Sequence, residues 1–212
     1  MIWIEVLVEG ASDLPAVREV LARRFELVEG EHFRMHAHKG KGELPVNPLK
    51  KPDQKRQGLL DQLPAKLRGY GKSLEAHAVV LVVIDSDSED ADALLKKLDA
   101  MLRLLPYKPK VLFRLAIEET ESWFIADMEA LRKAYPGSVD LRGLRRIQPD
   151  AVIGAWEKLA EALGMDRRMV AGPTEFHWAQ KIAPHLDFHQ PKSPSLKKLI
   201  DGIADLLEPI AT

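Results

Sequence analysis

The chain has no cysteine. Disulfides and thiolate metal sites are therefore excluded, and a cytoplasmic location is expected. Charge of either sign is not in excess: 31 basic residues stand against 32 acidic ones, for a net charge of −1. Any grip on nucleic acid must then come from local patches and not from a global field. No apolar run approaches the ~20 residues that a bilayer span needs, so no membrane association is expected. The opening MIWIEVLVEG lacks a basic leader and a small-residue cleavage site, and reads as a strand instead of a signal peptide. The phosphate-loop pattern G-x-x-x-x-G-K-[ST] is missing, so any ATPase partner must be a separate chain. Zinc-type spacing is missing as well. His177, His185 and His189 are irregularly placed, and His36 and His38 share a strand face without a third ligand to select a metal.

What is present is enough for one sizeable domain: 212 residues, 46% of them hydrophobic. Residues 2–8 are apolar at nearly every position, which predicts a strand covered on both faces. Ser12 or Asp13 can cap a following helix, with Pro15 in its tolerant first turn. Strands are predicted at 32–38, 77–84 and 110–117, and helices at 59–70, 89–104 and 120–134. Residues 39–58, with several prolines and many lysines, read as a long mobile loop. This alternation predicts an α/β fold with a parallel sheet. Helices at 150–163, 175–183 and 194–207 complete the chain. The expected organisation is an α/β core at 1–135 and a helical C-terminal extension at 136–212, packed as one compact unit.

Acids follow three of the four strands. Glu9 follows the first, Asp85 and Asp87 the third, Glu119 and Glu121 the fourth. In an open parallel sheet these ends lie on the carboxyl edge, where ligands bind. In extended chain, residues i and i+2 face the same way, so each pair can share one target. Converging carboxylates repel, and a hard divalent cation resolves that repulsion. For Asp87 the alternative is helix capping together with Ser86 and Ser88, and Glu119 can equally start the next helix. Ser88, Glu89 and Asp90 read as the beginning of the helix after the third strand.

VEGASD (8–13), DSD (85–87) after an apolar strand, and the acids after the next strand resemble the TOPRIM domain of topoisomerases, primases and OLD-family nucleases. EETESWFIAD (118–127), WAQKIAPHLD (178–187) and SPSLKK (193–198) resemble the bacterial DUF4276 family, which is TOPRIM-like. The resemblance implies a TOPRIM-like parallel β-sheet flanked by helices. It also implies Mg²⁺ (or Mn²⁺) held by Glu9, Asp85, Asp87, Glu119 and Glu121, with Glu9, Asp85 and Asp87 catalytic in phosphodiester cleavage. The tyrosine module of topoisomerases is absent beside it, and no polymerase extension is present, so neither strand passage nor priming is expected. A role in defence against phage or plasmid, with a separate ATPase subunit, follows from the resemblance. The alternative is a catalytically limited binding subunit of the same fold.

Phosphate contacts are expected from cations. Lys39, Lys41, Lys50 and Lys51 lie in the 39–58 loop with Lys55 and Arg56, and give sequence-independent affinity for nucleic acid, DNA rather than RNA. Ser193 can cap a helix with Pro194 at its first position. Its free N–H groups, with Ser195 and Lys197, form an expected anion site.

Overall fold

The computed structural model describes residues 2–208. The chain divides into two compact units. The first holds residues up to 11, 27–84 and 89–114. The second holds 12–26, 85–88 and everything from 115 onward.

The first unit is built on a parallel sheet of four strands in the order β2-β1-β3-β4. The strands are β1 (Trp3–Val8), β2 (Phe33–Ala37), β3 (Ala78–Asp85) and β4 (Lys110–Ala116). β1 pairs in parallel with both β2 and β3, and Val8 stands opposite Ala37 and Val83. The central strands are apolar on both faces because both faces are covered, and Ile4, Val6, Leu81 and Val82 are fully buried. Glu5 interrupts this pattern at 7% exposure. Its carboxylate accepts the Trp3 indole N–H at 2.9 Å and meets His36 Nε2 at 2.6 Å, so the buried charge is engaged on both oxygens.

Two helices complete this unit, α2 (Leu59–Ser73) and α3 (Ala91–Leu104). Leu59, Leu60, Leu63 and Leu67 form the buried stripe of α2, and Leu94, Leu98 and Met101 that of α3. Asp90 caps α3 by accepting Ala93 N–H at 2.8 Å. The 39–58 segment contains no helix or strand, yet it is tied down. Arg68 donates to the carbonyls of Pro48 and Lys50. Arg56 pairs with Glu43 and Asp61 at 2.7 and 3.0 Å. Gly42 has φ +66, and a Cβ there would run into the Asp61 carboxylate that caps α2 at Gly58.

The second unit is helical: α1 (Asp13–Glu19), α4 (Glu121–Ala126), α5 (Met128–Ala134), α6 (Ala155–Ala162), α7 (Gly172–Ile182) and α8 (Pro194–Leu207). Trp123, Phe124, Trp178, Leu159, Leu199 and Ile203 are buried in it. Two expectations shift here for local reasons. The helix predicted at 120–134 breaks at Asp127, whose carboxylate caps α5 through Ala130 N–H at 3.0 Å and also accepts Asp187 N–H at 3.0 Å. The helix predicted from 150 starts only at Ala155, because Asp150 is left-handed at φ +61 and Gly154 at φ +75. After α1 the chain widens into a π turn, Val20–Arg24. No helix among the described residues is long and apolar enough to cross a membrane.

Candidate functional site

The acidic loops after β3 and β4 are stitched together within the second unit. Ser86 N–H donates to Ala116 O and Asp87 N–H to Glu118 O, both at 2.9 Å. Glu118 N–H returns a bond to Ser86 Oγ at 2.8 Å. Asp87 and Glu118 both have positive φ, +49 and +64. That region is unfavourable for L residues by roughly 1–2 kcal/mol each, and the three bonds hold it in place. Such conformations cluster at functional sites. They also break the alternation assumed for extended chain: Asp85 ends β3, whereas Asp87 sits on the turn and is exposed.

Glu118 and Glu119 reach the N-terminus of α6. Glu118 accepts Gly154 N–H at 2.6 Å and Ala155 N–H at 2.9 Å, one on each oxygen. Glu119 accepts Trp156 N–H at 3.2 Å. These are the orphan donors of a helix start, and negative charge is favoured there. Even so, burial and the neighbouring Glu118 push the Glu119 carboxyl up to about 7, with smaller contributions from Glu157 and Glu175.

Glu121 opens α4 and is buried with Asp13, each at 5% exposure. The Thr120 hydroxyl lies 3.0 Å from Asp13 Oδ1 and 3.4 Å from Glu121 Oε2, and its one proton serves one carboxylate at a time. Burial, then the charges of Asp13 and Glu119, raise Glu121 well above its ordinary range. The result is a buried, mutually repelling pair of carboxyls, Asp13 and Glu121. Asp13 is the member that sequence reasoning missed; its position at the start of α1 gave only a capping signal.

Glu9 belongs to the first unit. It follows β1, is buried at 8% exposure, and its carbonyl accepts Gly40 N–H at 3.0 Å. The same unit carries the loop lysines. Lys39 is exposed and Lys41 partly so. The carbonyls of Gly40 and Lys41 accept Leu59 and Leu60 N–H at the start of α2. Lys50 and Lys51 line a pocket of about 350 Å³ together with Arg56, Asp53 and Asp61.

The start of α8 is already occupied by an anion from the chain itself. Asp150 accepts the Ser193 hydroxyl at 2.7 Å and Ser195 N–H at 2.5 Å. The Trp123 indole N–H donates to Ser195 Oγ at 2.9 Å. Both serines are buried, and Lys197 pairs with Asp201 at 2.6 Å. The E-x-E-x-W and S-P-S stretches are thus two halves of one buried lock between α4 and α8.

Among the described residues no group of three or more His, Asp or Glu side chains is gathered to hold a metal ion. The donor chemistry nonetheless suits a hard cation: every candidate ligand is a carboxylate, and two of them carry raised proton affinity that a cation would relieve. A family model described as a domain of unknown function, DUF4276, matches residues 8–204. No curated protein and no solved structure matches the chain.

Proposed function

Since the chain belongs to the DUF4276 family, we propose that it is a Mg²⁺-dependent phosphodiesterase of TOPRIM type that cuts nucleic acid, DNA before RNA. The observation that carries this reading is the stitched pair of acidic loops after β3 and β4, which fixes Asp87 and Glu118 in strained turns. Asp85, Asp87 and Glu121, with Glu119, are the residues that would hold the cation; Mn²⁺ can replace Mg²⁺. When bound, such an ion polarises a phosphoryl oxygen and lowers the pKa of water. The TOPRIM resemblance also assigns a catalytic role to Glu9. Lys39, Lys41, Lys50 and Lys51 supply phosphate contacts whose strength falls with salt. A cytoplasmic defence role beside a separate ATPase belongs to the same proposal.

A second reading is a binding or effector subunit of limited activity. It is favoured by Glu118, both of whose oxygens accept N–H groups at the start of α6, and by Glu119, one of whose oxygens does. Cleavage separates the two. Purified protein is incubated with supercoiled, linear and single-stranded DNA and with RNA, in Mg²⁺ or Mn²⁺, beside Asp85→Ala and Glu9→Ala. Metal-dependent cutting that both variants lose supports the enzyme. Cutting that survives in Asp85→Ala overturns the assigned site, and no cutting of any substrate leaves the effector reading.

A further inference from the structure

A second polar pocket lies wholly within the second unit, away from the acidic loops in sequence. It has a volume of about 420 Å³, within the range of small-ligand sites. Five of its lining side chains are basic: Arg23, Lys133, His185, His189 and Lys192. They come from the π turn after α1, from α5, and from the 183–192 segment between α7 and α8. Three distant stretches of chain therefore bring positive charge to one cavity.

Three acids also line it: Asp127, Glu129 and Asp187. Asp127 spends its two oxygens on the N–H groups of Ala130 and Asp187. Asp187 Oδ1 accepts His189 and Gln190 N–H at 3.0 and 2.9 Å, and these bonds, with Lys192 and His189 nearby, hold its pKa below the usual range. Glu129 pairs with Arg132, which is not in the lining. Backbone N–H groups and Arg132 thus take up Asp127 and Glu129, while Asp187 draws on Lys192 and His189 as well as on backbone N–H groups. Arg23 is braced: it donates to the carbonyls of Ala183 and Leu186 at 3.3 Å, lies 5.0 Å over the buried Phe188 ring and pairs with Glu19 at 3.8 Å on the same stretch of chain. Lys133 and Lys192 are exposed and make no ion pair among the described residues. A fixed guanidinium, two mobile ammonium groups and two imidazoles around one cavity suit a multiply charged anion better than a singly charged one.

We propose that this pocket binds the phosphate group of a phosphate monoester, either a free mononucleotide or the terminal phosphate of a nucleic-acid strand. A dianionic monoester is drawn to these basic groups more strongly than an internal phosphodiester, which carries a single charge. The proposal stands apart from the metal chemistry and uses none of its residues.

The test is calorimetric titration of the full chain at low salt, without divalent metal, using inorganic phosphate, AMP and adenosine. Phosphate and AMP are expected to bind and adenosine is not. Lys133→Gln/Lys192→Gln is expected to weaken both by about tenfold or more, since two charge-assisted contacts are lost. Lys96→Gln on α3 serves as the charge control, and Asp85→Asn, which removes a proposed metal ligand, is expected to bind as wild type does. Thermal melts confirm that the variants fold. Oligonucleotides with a 5′-phosphate or a 5′-hydroxyl separate the two sources. Selective binding of the phosphorylated strand identifies a strand end, and binding of AMP alone identifies a free nucleotide. Equal affinity for both strands without phosphate or AMP binding overturns the proposal, as does wild-type affinity in the double lysine variant.

Discussion

Asp150→Ala is expected to loosen α8 from the rest of the second unit. The carboxylate accepts two donors, the Ser193 hydroxyl at 2.7 Å and Ser195 N–H at 2.5 Å, and both serines are buried. A buried donor left without a partner costs about 1–3 kcal/mol. The Ser193 hydroxyl can turn to Ser195 Oγ, 3.1 Å away, so the loss falls mainly on the Ser195 amide. Alanine also tolerates the left-handed φ of +61 less well than aspartate, which adds about 1 kcal/mol. The sum is about 3 kcal/mol. In a chain of this size each kcal/mol shifts the melting temperature by about 2–4 °C, so a fall of about 6–12 °C is expected in a thermal melt at pH 7. Asp150→Asn keeps one oxygen acceptor and the tolerance of positive φ, and should lose less than half as much. A melting temperature for Asp150→Ala within about 2 °C of wild type would refute the lock on the scale used here. So would an Asn variant as unstable as the Ala one.

Glu118→Gln replaces one of two carboxylate acceptors at the start of α6 with an amide N–H and should cost about 1–2 kcal/mol in urea unfolding; a loss below about 0.5 kcal/mol contradicts the capping role. Glu119 and Glu121 are raised in the folded state, so the stability they contribute is complete below the ordinary carboxyl value of 4.5 and is lost as pH rises, for Glu119 through about 7. Glu121→Gln, permanently neutral, should therefore match wild type at pH 4 and exceed it at pH 8 in thermal melts, and an unchanged pH slope would sink the buried-acid account. Trp123→Phe and Ser195→Ala each remove one end of the bond at 2.9 Å, and their double-mutant cycle should show a coupling of about 1 kcal/mol; strict additivity would mean the bond contributes nothing.

The strands were the most legible part of the chain, because a central parallel strand needs apolar residues on both faces and little else satisfies that pattern. Residues 77–84 and 2–8 match β3 and β1 to within a residue or two. Helix boundaries in the second unit were less legible. They are set by carboxylates acting over long separations: Asp127 on Asp187, Asp150 on Ser193 and Ser195, Glu118 on Gly154 and Ala155. No local spacing announces such bonds. DSDSED separates into three roles: Asp85 closes β3, Asp87 occupies a left-handed turn, and Asp90 caps α3. The sequence offered Ser86, Asp87 and Ser88 as caps of a helix from 89, whereas the helix begins at Ala91 with Asp90 as its cap. The left-handed turn was not legible, since it depends on hydrogen bonds from the loop after β4. Glu5 was hidden for the opposite reason, as a single charge inside an apolar strand satisfied by partners on its own and the next strand.

The central claim is that the acids following β3 and β4 take up a divalent cation, and Mg²⁺ titration followed by calorimetry and thermal melting tests it directly. Wild type is expected to bind Mg²⁺ and to melt at a higher temperature in its presence. Asp85→Asn and Asp87→Asn are each expected to lose the rise, and Lys96→Gln to keep it. Wild-type protein that shows no heat of binding and no shift at millimolar Mg²⁺ or Mn²⁺, or Asp85→Asn and Asp87→Asn variants that shift as wild type does, would contradict it.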